Sequence, residues 1–328
     1  MSFIMTLDAT EFPKPARGAE RLIGRGLKLT HLRLIAALAE TTQLTATARA
    51  LSISQPAASR LLAEAEGIVG HALCERRAKG IALTAAGRAL AARAQAVLLE
   101  IAEAGREVGD VAAGRLGTVS LGAVTAAAVD LVVPTLQRLQ RQNPGLQASV
   151  DVATSDVLIE DLRRGRHDFI VGRVPISMDP APFEIRPLRP EVVALIVRSN
   201  HPLAQRASVG ARDLAPYDWV MQQPGSLLRA TLEEALLERG SPPPNCRLST
   251  SSLLLTLALV TRSNAIAPVS AEVARLVCGQ GGLGRAIATL PIDFYVEIKP
   301  FCLIRLRGHR PSPSAALVQD ALLEDFRG

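Results

Sequence analysis

Gln55, Ser59 and Arg60 have the types and spacing to hydrogen-bond base edges. They fall in the run Ser52-Ile53-Ser54-Gln55-Pro56-Ala57-Ala58-Ser59-Arg60-Leu61. Gln pairs bidentately with adenine, Arg pairs with guanine, and Ser reaches a base edge or a phosphate. Ser54 is suited to cap a helix, its hydroxyl accepting from a free N–H of the first turn. Pro56 follows in that turn, where a missing N–H costs little. Ile53, Ala57, Leu61 and Leu62 share one face, which leaves Gln55, Ser59 and Arg60 on another, with no acidic residue among them. Such a helix suits the major groove. The alternative is an ordinary amphipathic helix with a solvated polar face.

The neighbouring stretches bear on that choice. Thr45–Leu51 reads as a short helix capped by Thr45, with Ala48 small enough for a second helix to cross closely. Thr30 is expected to cap an earlier helix in which Leu32, Ile35, Leu38 and Ala39 recur at helical spacing. Leu51 and Ile53 would close the core at the turn. Three helices with a tight turn before the third make a helix-turn-helix. Leu73–Thr84 then reads as a hairpin whose tip carries Arg76, Arg77 and Lys79, a basic wing. Between Leu27 and Leu90, eight Lys and Arg stand against four Glu and no Asp. That excess suits a phosphate-facing surface, although many solvated surfaces carry as much.

Residues 27 to 90 resemble the N-terminal domain of LysR-type transcriptional regulators. The resemblance rests on the early Leu-rich helix, the Ala48 helix, Ser54–Arg60, Leu73-x-Glu75-Arg76 and Leu83-Thr84-x-Ala86-Gly87. Cys74 stands where the family usually has Phe, and a tail precedes the domain. The expected organisation is a tail over 1–26, a winged helix-turn-helix over 27–84, a linker helix over 85–113 and an effector-binding domain over 117–328. The expected DNA contacts are Thr45, Ser54, Gln55, Pro56, Ser59, Arg60, Arg76, Arg77 and Lys79.

From 85 to 113 the chain has no proline, and Leu90, Ala94, Val97, Ile101, Ala104, Val108 and Val111 recur at spacings of four and three. That seam asks for a partner helix. A helix lying on its own domain would show a broader stripe. A dimer would place two recognition helices on an inverted repeat, and the resemblance implies a homotetramer.

After Gly114-Arg115-Leu116-Gly117 the pattern changes. Strand-like runs near 119–123, 148–153, 169–173, 192–198, 219–222, 247–250, 264–267 and 296–305 alternate with helical ones. This predicts α/β layers with largely parallel sheets. Gly117-x-Val119-x-Leu121-Gly122, the Gly165–Arg173 segment and His201-Pro202-Leu203-Ala204 resemble the family's effector domain, whose fold is periplasmic-binding-protein-like. Family topology implies one subdomain from 117–189 plus 271–328 and another from 190–270.

Ligands in such sheets sit beyond the carboxyl ends of strands, where helix N-termini offer N–H donors. Hydroxyl residues stand at four such junctions: Thr125; Thr154 and Ser155; Ser226 after Pro224-Gly225; Ser251 and Ser252. Singly, each reads as well as a plain helix cap. The candidate effector contacts are these residues with Ala126, Arg173, Gly225 and Pro268. Arg173 would meet a carboxylate or a hydroxyl pair, or else form a surface salt bridge. Ser226–Arg229, Thr250–Leu255 and Leu27-Lys28-Leu29 resemble the galactose-binding-protein regulator subgroup. The implied effector is a monosaccharide, with an aromatic or other organic acid as the alternative. Trp219 is the candidate sugar platform.

The chain of 328 residues is too long for one core, and its net charge is +6. Cys74, Cys246, Cys278 and Cys302 form no CxxC pair, and no His stands at metal-ligand spacing beside them. Buried thiols in a reducing cytosol are the expectation, with a thiol switch left open. GxSxG, P-loop and HExxH motifs are absent, so the expectation is a regulator with no cofactor and no metal. An enzyme fused to the helix-turn-helix is the alternative from another class, and a purely architectural DNA protein is a third. No apolar run approaches the roughly 18 residues of a membrane span. Asp8, Glu11 and two prolines occupy the N-terminus where a signal-peptide core would lie, which points to a mobile tail and a cytoplasmic protein. Operator DNA, a small effector and RNA polymerase are the expected partners.

Overall fold

The structure is a computed structural model that describes residues 17–77, 80–112, 117–175, 178–278 and 285–325. Lys79 and the side chains of Arg76 and Val111 lie outside that description. The chain divides into two units, Met1–Ala104 and Gly105–Gly328.

The first unit holds helices α1 (Arg17–Gly24), α2 (Leu29–Thr41), α3 (Leu44–Ala50) and α4 (Gln55–Val69). The hairpin β1 (Cys74–Arg77) and β2 (Gly80–Leu83) follows, and then α5 (Ala85–Ala112), which continues into the second unit. The tail expected over 1–26 therefore contains a helix. Leu34, Ile35, Leu38, Ala48, Ala58, Leu62, Ala65 and Leu73 form the core. On α4 the buried residues are Ala58, Leu62 and Ala65, with Ala57 and Leu61 half-buried at their flank. Two expected caps are corrected. Lys28 precedes α2 and Gln43 precedes α3, so Thr30 and Thr45 lie inside the first turns. Both helices start two residues early, with extended backbone at Lys28 and Gln43 leading straight into helix.

Thr84 and Gly87 fix the start of α5. The Thr84 hydroxyl accepts from the Gly87 N–H at 3.0 Å and donates to the Ala72 carbonyl at 2.8 Å. A Cβ on Gly87 would lie 2.0 Å from the Leu73 carbonyl oxygen, so only glycine allows this approach.

The second unit contains two sheets. The first has the order β4-β3-β5-β13-β6, from β3 (Gly117–Ala123), β4 (Leu146–Val152), β5 (Phe169–Gly172), β6 (Phe183–Pro187) and β13 (Cys302–Leu306). Strands β3, β4 and β5 are parallel, while β13 is antiparallel to both β5 and β6. Helix α6 (Thr125–Ala127) passes through a π turn at Ala128–Val132 into α7 (Val133–Gln142). Helix α8 (Ser155–Arg163) packs on the same sheet, as does α12 (Pro313–Glu324). The second sheet centres on β7 (Glu191–Arg198), flanked by β10 (Ala267–Ser270), β11 (Ile287–Thr289) and β12 (Glu297–Ile298), all antiparallel to it. A parallel pair, β8 (Asp218–Met221) and β9 (Asn245–Ser249), joins it through a bridge from Trp219 to Ile266. Helices α9 (Leu227–Glu238), α10 (Leu253–Val260) and α11 (Ala271–Val277) cover it.

Several expectations change. The sheets are mixed, because the returning strands β10 to β13 enter antiparallel. The run expected at 264–267 is paired over Ala267–Ser270, and the run at 296–305 is two strands split by Lys299-Pro300. Strands β6 and β11 were not expected. Residues 271–298 pack with the second sheet: Val273, Ala274, Val277 and Ile287 share a core with Ile196 and Val260. The chain thus crosses between sheets after β6 and again after β12. The crossings meet where Leu188 N–H donates to Phe301 O at 2.9 Å and Phe301 N–H to Arg189 O at 3.2 Å.

Candidate DNA-reading surface and effector cleft

Ser54 caps α4, its hydroxyl accepting from the Ala57 N–H at 3.3 Å. Ser52 at φ 56° makes the turn from α3 tight enough for the Ile53 N–H to reach the Ala48 carbonyl at 3.0 Å. Gln55, Pro56, Ser59 and Arg60 all stand exposed on the first turns of α4. Arg60 has no ion pair among the described residues, so its five N–H donors are available. Thr45 is exposed in the first turn of α3. Arg77 is exposed on the wing and paired with Glu75 at 2.6 Å. The Ile81 N–H donates to the Thr42 carbonyl at 3.1 Å and fixes the wing to the end of α2. Two pairs, each with one buried member, were not foreseen. Thr47 Oγ1 lies 2.6 Å from Thr41 Oγ1, and the buried His31 accepts from the Lys28 N–H and meets Glu64 at 3.3 Å.

The α5 seam divides in two. Ala94 is fully buried, and Leu90 is half-buried against the core of the first unit, so the start of the seam is already covered. Val97, Ile101, Ala104 and Val108 are exposed. The sequence period cannot separate these groups, because all of them recur on one face of α5.

In the second unit, α6 and α11 pack against each other and bring the ends of β3 and β10 together. Thr125 is the first residue of α6, and its hydroxyl has no partner among the described residues. Ala126 beside it is buried. Thr154 precedes α8 without capping it through its side chain. Ser155 is occupied, accepting from the Arg173 N–H at 3.1 Å. Ser226 caps α9 after Gly225 at φ 90°, and Ser252 caps α10 with Ser251 exposed before it. The Pro268 carbonyl accepts from Gln222 Nε2 at 3.1 Å, while Gln222 Oε1 is buried without a partner.

Arg173 has a different task from the expected one. Its Nη2 donates to Glu191 at 2.8 Å, its Nε donates to the Lys299 carbonyl at 2.7 Å, and its guanidinium lies 5.3 Å over the Phe301 ring. Both charges are largely buried. Burial pushes the Glu191 carboxyl up, and Arg173 opposes that shift. Arg229 is likewise committed, to Glu233 at 2.8 Å and to the Gln222 carbonyl. Asp130 and Arg189 form a further pair between the π turn and the first crossing. Glu191 was legible as the one acid opening an otherwise apolar strand. Trp219 is 1% exposed inside the second core and cannot be a sugar platform. His201 is structural: its Nδ1 accepts from the Leu203 N–H, and its Nε2 faces the Asn264 carbonyl at 3.2 Å.

A winged helix-turn-helix and a two-sheet ligand domain with two crossings define a ligand-responsive DNA-binding regulator. Residues 29–88 match the bacterial regulatory helix-turn-helix protein, lysR family, and residues 112–327 match the LysR substrate binding domain. The chain belongs to the LysR family of transcriptional regulators. It is 45% identical to the HTH-type transcriptional regulator GbpR of Rhizobium radiobacter over 77% of this chain and 84% of that protein. It is 35% identical to GbpR of Azospirillum brasilense, over 90% of this chain and 86% of that one. The crystal structure of CbnR, a LysR family regulator, superposes with a TM-score of 0.55 at 21% identity, covering 92% of this chain and all of that one. Among the described residues no helix is long and apolar enough to cross a membrane.

Proposed function

We propose that the chain is a cytoplasmic, non-enzymatic regulator that reads an interrupted inverted repeat as a homodimer or homotetramer and acts on RNA polymerase. Its effector is a small neutral polar metabolite, a monosaccharide first among them. The observation that carries the DNA reading is the exposed set Gln55, Ser59 and Arg60 on a helix start capped by Ser54. The resemblance to GbpR proteins supports the sugar. So does the commitment of Arg173 and Arg229 to carboxylates, which leaves neither to hold an acid. The contacts proposed for it are Thr125, Thr154, Ser226, Ser251, Ser252 and the backbone beside Ala126, Gly225 and Pro268.

The experiment is operator affinity with and without each member of a panel of sugars and aromatic acids. Thr125→Val and Ser226→Ala should each weaken the effector response by roughly 1 kcal/mol per lost hydrogen bond. Affinity for the operator without effector should stay near wild type. A response only to organic acids would replace the sugar reading, and wild-type titrations in both variants would place the ligand elsewhere.

A further inference from the structure

At the edge of the first sheet, β6, β13 and α12 enclose a cavity of about 200 Å³. None of the proposed effector contacts lines it. Its sheet wall is set by register. Glu184 pairs across from Arg305, and Arg186 pairs across from Leu303, so all four side chains face the same way under α12. Glu184 and Arg305 satisfy each other through two hydrogen bonds of 2.9 and 2.6 Å. Two charges on the lining are left over. Arg186 and Asp320 have no hydrogen bond or ion pair among the described residues. Gln319 lines the same cavity, 5% exposed, and its Nε2 is buried without an acceptor among the described residues. Leu303, Pro311, Ala316 and Leu323 supply apolar surface.

An unpartnered buried amide costs about 1–3 kcal/mol, which an acceptor on a molecule in the cavity would recover. Arg186 and Asp320 are exposed charges of opposite sign on one lining, and a molecule that carries both charges matches them. We propose that this cavity is a second small-molecule site that takes an aliphatic α-amino acid of about valine size. The carboxylate meets Arg186 and the Gln319 amide, the ammonium meets Asp320, and the side chain packs on Leu303 and Leu323. Because the cavity lies under α12, occupancy would stiffen the edge of the first sheet and act separately from the effector between the sheets.

The test is calorimetric titration of the full-length protein with L-valine, 3-methylbutanoate and 2-methylpropan-1-amine, which carry both charges or only one. Valine should bind at least about tenfold more tightly than either single-charge analogue. Arg186→Met and Asp320→Asn lie on exposed positions, and thermal melts without ligand will confirm their folding. Each should weaken valine by at least about tenfold. Asp320→Asn should leave 3-methylbutanoate unchanged, and Ser226→Ala should leave valine unchanged. The proposal is overturned if valine gives no heat at about 10 mM, a concentration above any useful affinity. It is equally overturned if the carboxylate alone binds as well, if Arg186→Met binds like wild type, or if Ser226→Ala abolishes binding.

Discussion

Arg173 and Glu191 form an ion pair 2.8 Å long that ties the end of β5 to the start of β7, one strand from each sheet. The same guanidinium holds the Lys299 carbonyl in the second crossing and stacks over Phe301. One side chain thus reaches both crossings, where any change of angle between the sheets must act.

Removing one partner leaves a buried charge, so Arg173→Met should lower stability by about 3–5 kcal/mol. Arg173→Met with Glu191→Leu should recover most of the loss. The folded-state value of Glu191 is already raised above the ordinary 4.5. Over the window above 4.5 the folded chain therefore binds more protons than the unfolded one, and this group's contribution is lost as pH rises. The damage from Arg173→Met should be smaller at pH 5 than at pH 8, about the lower and upper parts of that window. Urea midpoints at both pH values check this, and a double variant no better than the single would contradict it.

His167 and His201 titrate with the opposite sign. Burial holds both below the ordinary 6.5, against the pull of Asp151 on His167 and of the Asn264 carbonyl on His201. Near and below 6.5 the unfolded chain binds protons that the folded chain refuses, so these two groups lower stability as pH falls. Ring resonances of both should titrate below 6.5, and His201→Gln should flatten the acid limb of the stability curve. A resonance from either ring titrating above 6.5 would contradict the assignment.

Val97 and Ile101 are 41% and 48% exposed on α5, beyond the buried Ala94. Val97→Glu with Ile101→Glu should place charges in the seam without touching the folded domain. Sedimentation should show a smaller assembly, and operator affinity should fall by at least about tenfold, roughly 1.4 kcal/mol. An unchanged oligomer with unchanged affinity would mean that this stripe has no partner helix.

The helix-turn-helix was legible because its information is local. A cap at Ser54, a proline in the first turn and an apolar period each act within a few residues. The caps expected at Thr30 and Thr45 show the limit of that locality, since both helices begin two residues earlier and a cap-type residue alone does not fix a helix end to better than one or two residues. The effector domain was legible in class but not in strand direction. Nothing near Cys302–Leu306 says that it returns antiparallel between β5 and β6, because pairing is decided by segments more than a hundred residues apart. Arg173 was read as a ligand contact for the same reason: its partners at Glu191, Lys299 and Phe301 come from two later crossings. The lone tryptophan suggested a platform, but burial in a core is the commoner use of so large an apolar ring.

The central claim is that Gln55, Ser59 and Arg60 read bases from paired helices. In vitro selection from a randomised duplex with the full-length protein tests it most directly. The selected sites should be inverted repeats whose half-sites are centred about one helical turn apart, or a whole multiple of it. On such a site Arg60→Ala should lose roughly 1–3 kcal/mol and relax one position of each half-site, while binding to random DNA stays near wild type. Selection that enriches no repeat, or equal losses on selected and random DNA for Arg60→Ala, would contradict the account.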